Sequence, residues 1–206
     1  LSLLQEQINP HFLYNTLYSV QQLCELDEPQ EAGKMVEALA GFFRTGLSRG
    51  EDVIPITTEI SHVKSYLFIQ HMKYGDKFEY EILMEEEISQ YKILKLTLQP
   101  LVENALIHGI QKQRGTGKIT ISVERENDNI MLRVEDTGAG MDENRLTNVV
   151  KSMHQESGYQ NISFGVRNVY TRMMIYYKGQ ATMDIKSKQG VGTKVTICIP
   201  ISQMEV

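Results

Sequence analysis

The sequence predicts an α+β protein: a helical hairpin, followed by a larger domain in which helices pack against an antiparallel or mixed sheet. Two patterns support this prediction. Apolar residues recur every three or four positions through residues 1–50, whereas stretches such as KFEYEILM and KITISVERENDNIMLRVED alternate with period two. With 206 residues, 41% of them hydrophobic, the chain can bury a substantial core.

The hairpin is predicted from two apolar stripes in residues 1–50. The first stripe runs from Leu13 to Cys24 and stops at the acidic break DEP, and the second runs from Met35 to Leu47. Two helices alone bury too little apolar surface to be stable. We therefore expect a homodimer in which two hairpins form a four-helix bundle.

The segment QINPHFLYN places a proline directly before His11. Either Pro10 kinks a helix that runs through it, or Asn9 caps a helix whose first residue is Pro10. In both alternatives, His11 lies at an irregular point of the backbone.

Residues 51–206 alternate helices and strands. A helix is predicted to start at a capping Thr57 or Thr58 and to continue to about Met72. The stretch LQPLVENALIHG predicts an apolar helix that starts around residues 97–100 and ends at Gly109. KITISVERENDNIMLRVED predicts two strands joined by ENDN.

The last third of the chain begins with a polar stretch, residues 142–163, that predicts a loop with one short helix at 144–153. GVRNVYTRMMIYYKG then predicts a helix closed by Gly179, and ATMDIKSK and GTKVTICIPI predict two final strands.

Composition and charge exclude several classes of protein. The net charge is −5, from 21 basic and 26 acidic residues without long like-charge blocks, so we expect no nucleic-acid partner. No apolar run approaches the ~20 residues that span a bilayer. Because the chain starts at Leu1 inside an apolar pattern, we expect it to be a fragment that lacks an upstream segment. Cys24 and Cys198 are expected to be buried free thiols in a reducing compartment.

Asn104 and His108 are four residues apart on a predicted helix, so both side chains emerge on one face. An Asn oxygen suits a hard cation, and an imidazole can donate a hydrogen bond to a phosphate. The alternative is a polar stripe on a half-buried helix.

Asp136 lies at the predicted end of a strand and is followed by Gly138 and Gly140. A carboxylate at this position can accept a hydrogen bond from an exocyclic amine, and the glycines would let the backbone approach a flat ring. An ordinary Asp-Thr-Gly turn is the alternative.

Two further glycine clusters could contact phosphates. Gly165 directly precedes a predicted helix, whose free amide groups favour an anion, and GVGT (Gly190, Gly192 and Thr193) forms a turn with a hydroxyl at its exit. The sequence contains no GxxxxGK[ST] motif and no GxGxxG between a strand and a helix, which disfavours P-loop and dinucleotide-binding folds.

The order QINPHFLYN, LQPLVENALIHG, VEDTGAGM, FGVRNVYTRM and GVGTKVTICIP resembles the catalytic part of sensor histidine kinases with an NPHFLYN phosphoacceptor box, from bacterial two-component systems. The resemblance covers essentially the whole chain. It implies a dimerisation and phosphotransfer hairpin at 1–50 and a Bergerat-type (GHKL) ATP-binding α/β sandwich at 51–206.

By this resemblance, His11 is the phosphoacceptor for the γ-phosphate of ATP, and Asn15, one turn later, orients its imidazole. Asn104 matches the residue that holds Mg²⁺, and Asp136 matches the residue that reads the adenine amine. The implied nucleotide-binding residues are Asn104, His108, Asp136, Gly138, Gly140, Gly165, Asn168, Arg172, Gly190, Gly192 and Thr193.

Two positions depart from the pattern that many histidine kinases share. Phe12 takes the place of an acid that could serve as base, which leaves Glu6 and water as candidate proton acceptors. Ser163 replaces the first glycine of the second glycine box. Glu103 aligns with the water-activating acid of related ATPases, and we assign it no catalytic role.

The resemblance also implies partners and location. A response regulator receiver domain would accept the phosphoryl group, and the chain would be the cytoplasmic portion of a cell-membrane protein, reaching the membrane only through its missing upstream segment. Two alternatives stay open, an ATPase with the same nucleotide fold and a catalytically silent dimeric scaffold.

Overall fold

A computed structural model describes residues 10–47, 52–154 and 164–205. Two helices come first, α1 (Pro10–Glu25) and α2 (Pro29–Leu47), which confirms the predicted helices of the hairpin. The choice between a kink at Pro10 and a cap at Asn9 depends on residues 1–9, which lie outside the described residues. The predicted loop around ESGYQNIS, with Ser163, lies outside them as well.

The strands in chain order are β1 (Val53–Pro55), β2 (Phe78–Met84), β3 (Lys92–Leu94), β4 (Gly117–Glu126), β5 (Asn129–Asp136), β6 (Thr182–Lys188) and β7 (Gly192–Pro200). Within the described residues, five of them form one sheet in the order β2-β4-β5-β7-β6. β2 and β4 are parallel and the other neighbours are antiparallel, so the sheet is mixed. β1 and β3 pair separately, and the sequence analysis missed both of them.

The remaining helices are α3 (Ile56–Tyr74), α4 (Gln99–Asn104, continued by a wider π-helical turn at Ala105–Gly109), α5 (Glu143–His154) and α6 (Phe164–Tyr176). The predicted cap of α3 is wrong. Pro55 occupies the N-cap position without a side-chain hydrogen bond, and Thr57 and Thr58 lie inside the first turn. Since proline has its φ fixed near −65°, it can set the start of the helix without a hydroxyl cap.

One face of the five-stranded sheet packs against helices and the other is polar. The buried side chains alternate along the strands, as period-two patterning requires. They include Ile119, Ile121, Val123, Ile130, Leu132, Val134, Val195, Ile197 and Ile199. On the opposite face, ion pairs link neighbouring strands, such as Lys118 with Glu81 at 2.7 Å. The result is the predicted two-layer α/β sandwich.

Helix α3 lies between the hairpin and the sheet domain. The ring of Phe42 on α2 stacks on His62 with centroids 4.5 Å apart and contacts Phe12 at 4.9 Å. On the other side, the fully buried Glu59 accepts hydrogen bonds from the amide groups of Leu96 and Leu98 at 2.9 and 2.8 Å. These contacts fix the segment from which α4 begins.

Both cysteines are free, as predicted, but the prediction that they are buried is wrong for Cys24. Cys24 is exposed because it lies on a side of α1 that no described element of the chain covers. Cys198 is partly buried on β7. None of the helices in the described ranges combines the length and the apolar character needed to cross a membrane.

Candidate nucleotide-binding site

A cavity of about 150 Å³ opens between α4, the end of β5 and strands β6 and β7, with α5 and α6 along its side. Five predicted site residues from three separate motifs line it: Asn104, His108, Asp136, Gly140 and Thr193. The rest of the wall is mostly apolar. A cavity of this kind, apolar with a few convergent polar groups, is typical of a site for a small ligand.

Asp136 is the buried acid of this cavity, with 5% of its surface exposed. Its Oδ1 accepts a hydrogen bond from the amide of Gly138 at 2.8 Å. Burial raises the pKa of the Asp136 carboxyl to about 6, although the backbone amides of Gly138 and Thr193 act in the opposite direction. The carboxylate is therefore ionised at pH 7 and can accept a further hydrogen bond from a ligand.

The glycine turns pack against α4 and against each other so closely that side chains would not fit. A Cβ at position 138 would lie 2.2 Å from the carbonyl carbon of Gly109, and one at position 192 would lie 1.9 Å from the carbonyl oxygen of Asp136. The amide of Gly190 donates to the carbonyl oxygen of Ala139 at 2.7 Å, which ties the two turns together.

Gly165 brings the start of α6 against α4. A Cβ there would lie 3.2 Å from the Cβ of Pro100 and 3.3 Å from Nδ2 of Asn104. That Nδ2 donates to the carbonyl oxygen of Pro100 at 2.7 Å, which fixes the orientation of the Asn104 amide.

His108 lies in the π-helical turn that continues α4. Partial burial lowers the pKa of its imidazole, and the positive charges of Arg145 and Lys112 lower it further. The ring is therefore neutral at pH 7 and can donate a single hydrogen bond. Such single-turn π segments often occur at functional sites.

The sequence analysis missed Arg145 and Gly109, which also line the cavity. An arginine inside a polar stretch carries no motif, so nothing marked Arg145 in advance. Gly109 was assigned only to the end of a helix, although its position directly after His108 made it a neighbour of the site.

Asn168 and Arg172 are not among the residues that line the cavity. Asn168 is exposed on α6. The guanidinium of Arg172 donates to the carbonyl oxygens of Lys95 and Leu96 at 2.7 and 3.4 Å. Arg172 thus joins α6 to the segment before α4, and the phosphate contacts of Asn168 and Arg172 stay predictions.

His11 lies on the exposed first turn of α1, outside the nucleotide cavity. Nδ2 of Asn15 is 3.1 Å from each of its ring nitrogens, which places Asn15 where it can orient the ring. Both residues line a second cavity, and so does Glu103, which is absent from the first one. Glu6, a candidate proton acceptor, lies outside the described residues.

The fold and this cavity define a class of protein. A one-sided mixed sheet, a buried carboxylate at the end of a central strand and glycine turns packed against an Asn-bearing helix form a nucleotide-binding α/β sandwich. The hairpin adds an exposed histidine next to that sandwich.

Comparisons with known proteins identify the family. The family model "Histidine kinase" matches residues 1–78, and the model "Histidine kinase-, DNA gyrase B-, and HSP90-like ATPase" matches residues 90–203. The chain therefore belongs to the histidine kinase-, DNA gyrase B- and HSP90-like ATPase family, as a member of its sensor histidine kinases.

Two curated relatives illustrate the likeness. Sensor histidine kinase YesM of Bacillus subtilis is 32% identical over 97% of this chain and 33% of its own length. Sensor histidine kinase BtsS of Escherichia coli K12 is 38% identical over 66% of this chain and 24% of its own. The chain thus spans a third or less of these relatives.

Among solved structures, the histidine kinase domain of the Erythrobacter litoralis EL346 blue-light activated histidine kinase has the same fold. The TM-score is 0.53 at 16% identity, over 98% of this chain and 93% of that one.

Proposed function

We propose that this chain is the autophosphorylating core of an ATP-dependent sensor histidine kinase, in which residues 1–50 carry the phosphoacceptor and residues 51–206 bind the nucleotide. The observation that carries the proposal is the presence, in one chain, of an exposed His11 on a helical hairpin and a glycine-lined cavity with a buried, ionised Asp136. His11 would take the γ-phosphoryl group and pass it to an aspartate in the receiver domain of a response regulator.

The cavity contains groups that could bind both the adenine and the phosphates of ATP. The Asp136 carboxylate would accept a hydrogen bond from the 6-amino group of adenine, and the adjacent glycine turn lets the ring lie flat against the backbone. His108 and Arg145 line the same cavity and can donate hydrogen bonds to phosphate oxygens.

The residues present also fit Mg²⁺. Because Nδ2 of Asn104 bonds to the helix backbone, the amide oxygen is the atom that a cation at this site would meet. No group of three or more His, Cys, Asp or Glu side chains that could hold a metal occurs among the described residues. Mg²⁺ keeps several waters and binds nucleotides through few protein oxygens, so the single amide oxygen of Asn104 can serve as its protein ligand. Bound Mg²⁺ would neutralise charge on the phosphates of ATP.

We propose that the chain acts as a homodimer. Tyr14, Leu17 and Tyr18 expose 71%, 47% and 60% of their surface on α1, and Val36 exposes 49% on α2. Adjacent exposed apolar side chains of this size favour a protein partner. A second hairpin would cover them in a four-helix bundle. From the resemblance of its motifs to sensor histidine kinases, we also propose that the chain is the cytoplasmic portion of a membrane sensor.

Labelling with γ-³²P-ATP tests the proposal. We expect the chain to acquire a label that is stable in base and labile in acid, and we expect His11→Ala to abolish it. Release of phosphate without a labelled protein would instead indicate an ATPase. The absence of both would indicate a silent scaffold.

The variant Asn104→Asp tests the assigned metal ligand. A carboxylate would repel the phosphates that the amide tolerates, so we expect labelling to be lost while the fold, followed by circular dichroism, is kept. Undiminished labelling of Asn104→Asp would contradict the role of Asn104.

A further inference from the structure

A second cavity, of about 400 Å³, lies between the start of α1, the last turns of α3 and the outer side of α4. His11 and Asn15 line it from α1, Lys73 lines it from α3 and Glu103 lines it from α4. The proposed phosphoacceptor therefore opens into a space that it shares with the helix of the nucleotide site.

Helix α4 forms part of the wall of both cavities, with different residues in each. Asn104 and His108 line the nucleotide cavity, and Glu103 and Ile107 line the second one. Successive residues of a helix are separated by about 100° around the axis, because there are 3.6 residues per turn. The two cavities thus lie on neighbouring sides of one helix, and α4 separates the proposed metal ligand Asn104 from the space into which His11 opens.

Lys73 is an exposed cation that lines the second cavity. Its ammonium group lies 5.1 Å from the centroid of the Tyr74 ring. The ion pairs found within the described ranges engage Lys34, Lys92, Lys118, Arg133 and Lys194 with carboxylates but do not include Lys73. The charge of Lys73 is thus not neutralised by any of these pairs, although Glu103 lines the same cavity.

We propose that phosphoryl transfer takes place in this second cavity and that Lys73 is a catalytic residue, whose ammonium group contacts the phosphoryl group as it passes to His11. This inference rests on the proposed function of His11. The unprotonated ring nitrogen of His11 forms a bond to the γ-phosphorus, and the bond from that phosphorus to the β,γ-bridging oxygen breaks. ADP leaves with the electron pair, and the other ring nitrogen releases its proton to water.

The chemistry of the transfer favours a further positive charge beside His11. The transferring phosphoryl group carries negative charge on its three equatorial oxygens, and there is little covalent chemistry for the protein to perform. Pre-positioned positive groups therefore supply much of the rate in such reactions. Lys73 lines the wall of the cavity that His11 shares, so it is placed to contact the γ-phosphoryl group when the triphosphate of ATP extends past α4 towards His11.

Three variants of the 206-residue chain test this role. Lys73→Gln removes the charge, Lys73→Arg keeps it, and Lys64→Gln removes an exposed charge from the same helix but outside both cavities. We expect Lys73→Gln to lower kcat for labelling of His11 by about 10- to 100-fold with KM for ATP unchanged. Lys73→Arg should retain most of the rate, and Lys64→Gln should match the wild type.

The reverse reaction is the second readout. ADP added to the phosphorylated chain re-forms ATP through the same transition state, so Lys73→Gln should slow this reaction by the same factor as the forward one. A structural role of Lys73 would instead lower the urea midpoint and nucleotide affinity. Wild-type kcat in Lys73→Gln, or a loss confined to KM, would overturn the proposal while leaving His11 as the acceptor.

Because His11 and the cavity belong to one chain, transfer should occur within a protomer. A mixture of His11→Ala and Asn104→Asp chains, allowed to exchange subunits, should stay unlabelled. Labelling of the mixture would refute transfer through this cavity. If His11→Ala alone were labelled, or the wild type were not, the proposed function itself would fail, which separates the two failures.

Discussion

Asp136 is expected to destabilise the nucleotide-free fold, and Asp136→Asn should therefore stabilise it. Burial raises the pKa of its carboxyl from 3.8 to about 6, a shift of about 2 units. Each unit corresponds to about 1.36 kcal/mol, so ionising Asp136 in the fold costs up to about 3 kcal/mol at pH 7. Because folding raises this pKa, the folded state favours the protonated carboxyl. The resulting stabilisation is fully present below pH 3.8 and is lost as the pH rises through about 6.

Urea unfolding without nucleotide measures the effect. The chain has no tryptophan, so far-ultraviolet circular dichroism is a suitable signal. We expect Asp136→Asn to exceed the wild type by about 2–3 kcal/mol in free energy of unfolding at pH 7 and to equal it near pH 4. Asp184→Asn, at an exposed position on β6, is the matched control and should show no such pH-dependent difference.

The affinity for nucleotide should fall in Asp136→Asn, although its stability rises. A hydrogen bond to a charged group contributes about 1.5–3 kcal/mol, so Asp136→Asn should bind a fluorescent ATP analogue roughly 10- to 100-fold more weakly. The wild type should also lose affinity below pH 6, because a proton must leave Asp136 before the adenine amine can bind the carboxylate. If Asp136→Asn were less stable than the wild type at pH 7, or if its advantage were the same at pH 4, the reasoning from burial would be refuted.

Two further predictions concern packing and the contact of Arg172. Gly138→Ala should abolish binding of the ATP analogue, because its Cβ would lie 2.2 Å from the backbone of Gly109. Gly33→Ala on α2 is the control: its Cβ meets no atom within 4 Å, so in thermal unfolding it should stabilise the fold by about 0.5–1 kcal/mol. Arg172→Gln should lower the free energy of unfolding by about 1–2 kcal/mol and leave KM for ATP unchanged, since its hydrogen bonds go to backbone carbonyls. A raised KM with unchanged stability would instead support the predicted phosphate contact of Arg172.

Sequence patterns correctly predicted the helices and strands that are long enough to contain several repeats of their apolar pattern. The ten residues of β4 and the eight of β5 alternate clearly, and the helices α1 and α2 each contain several turns of apolar spacing. The strands β1 and β3 have three residues each, which is too short for an alternation to be distinguished from chance. Their pairing is set by tertiary contacts instead.

The sequence could predict those parts of the candidate site whose geometry is set by residues adjacent in the chain. Asp136 ends a strand and the glycines that follow it form a turn, so both could be assigned from neighbouring residues. The backbone contacts of Arg172 could not be assigned in this way, because its partners Lys95 and Leu96 lie 77 and 76 positions away in the sequence. The role of a long side chain depends on which backbone passes within its reach, and periodicity contains no information on that.

The two ends of the proposed reaction differ in how strongly function and stability are linked. At the nucleotide end, the glycine turns contact one another through backbone atoms, so a side chain added to either turn disturbs the binding site and the packing together. His11 is exposed, and the contact found for its ring is with Asn15 of the same helix. Removing the His11 imidazole should therefore leave the free energy of unfolding within about 0.5 kcal/mol of the wild type. For this reason, His11→Ala can test the chemistry by itself, whereas glycine variants test the site and the fold at once.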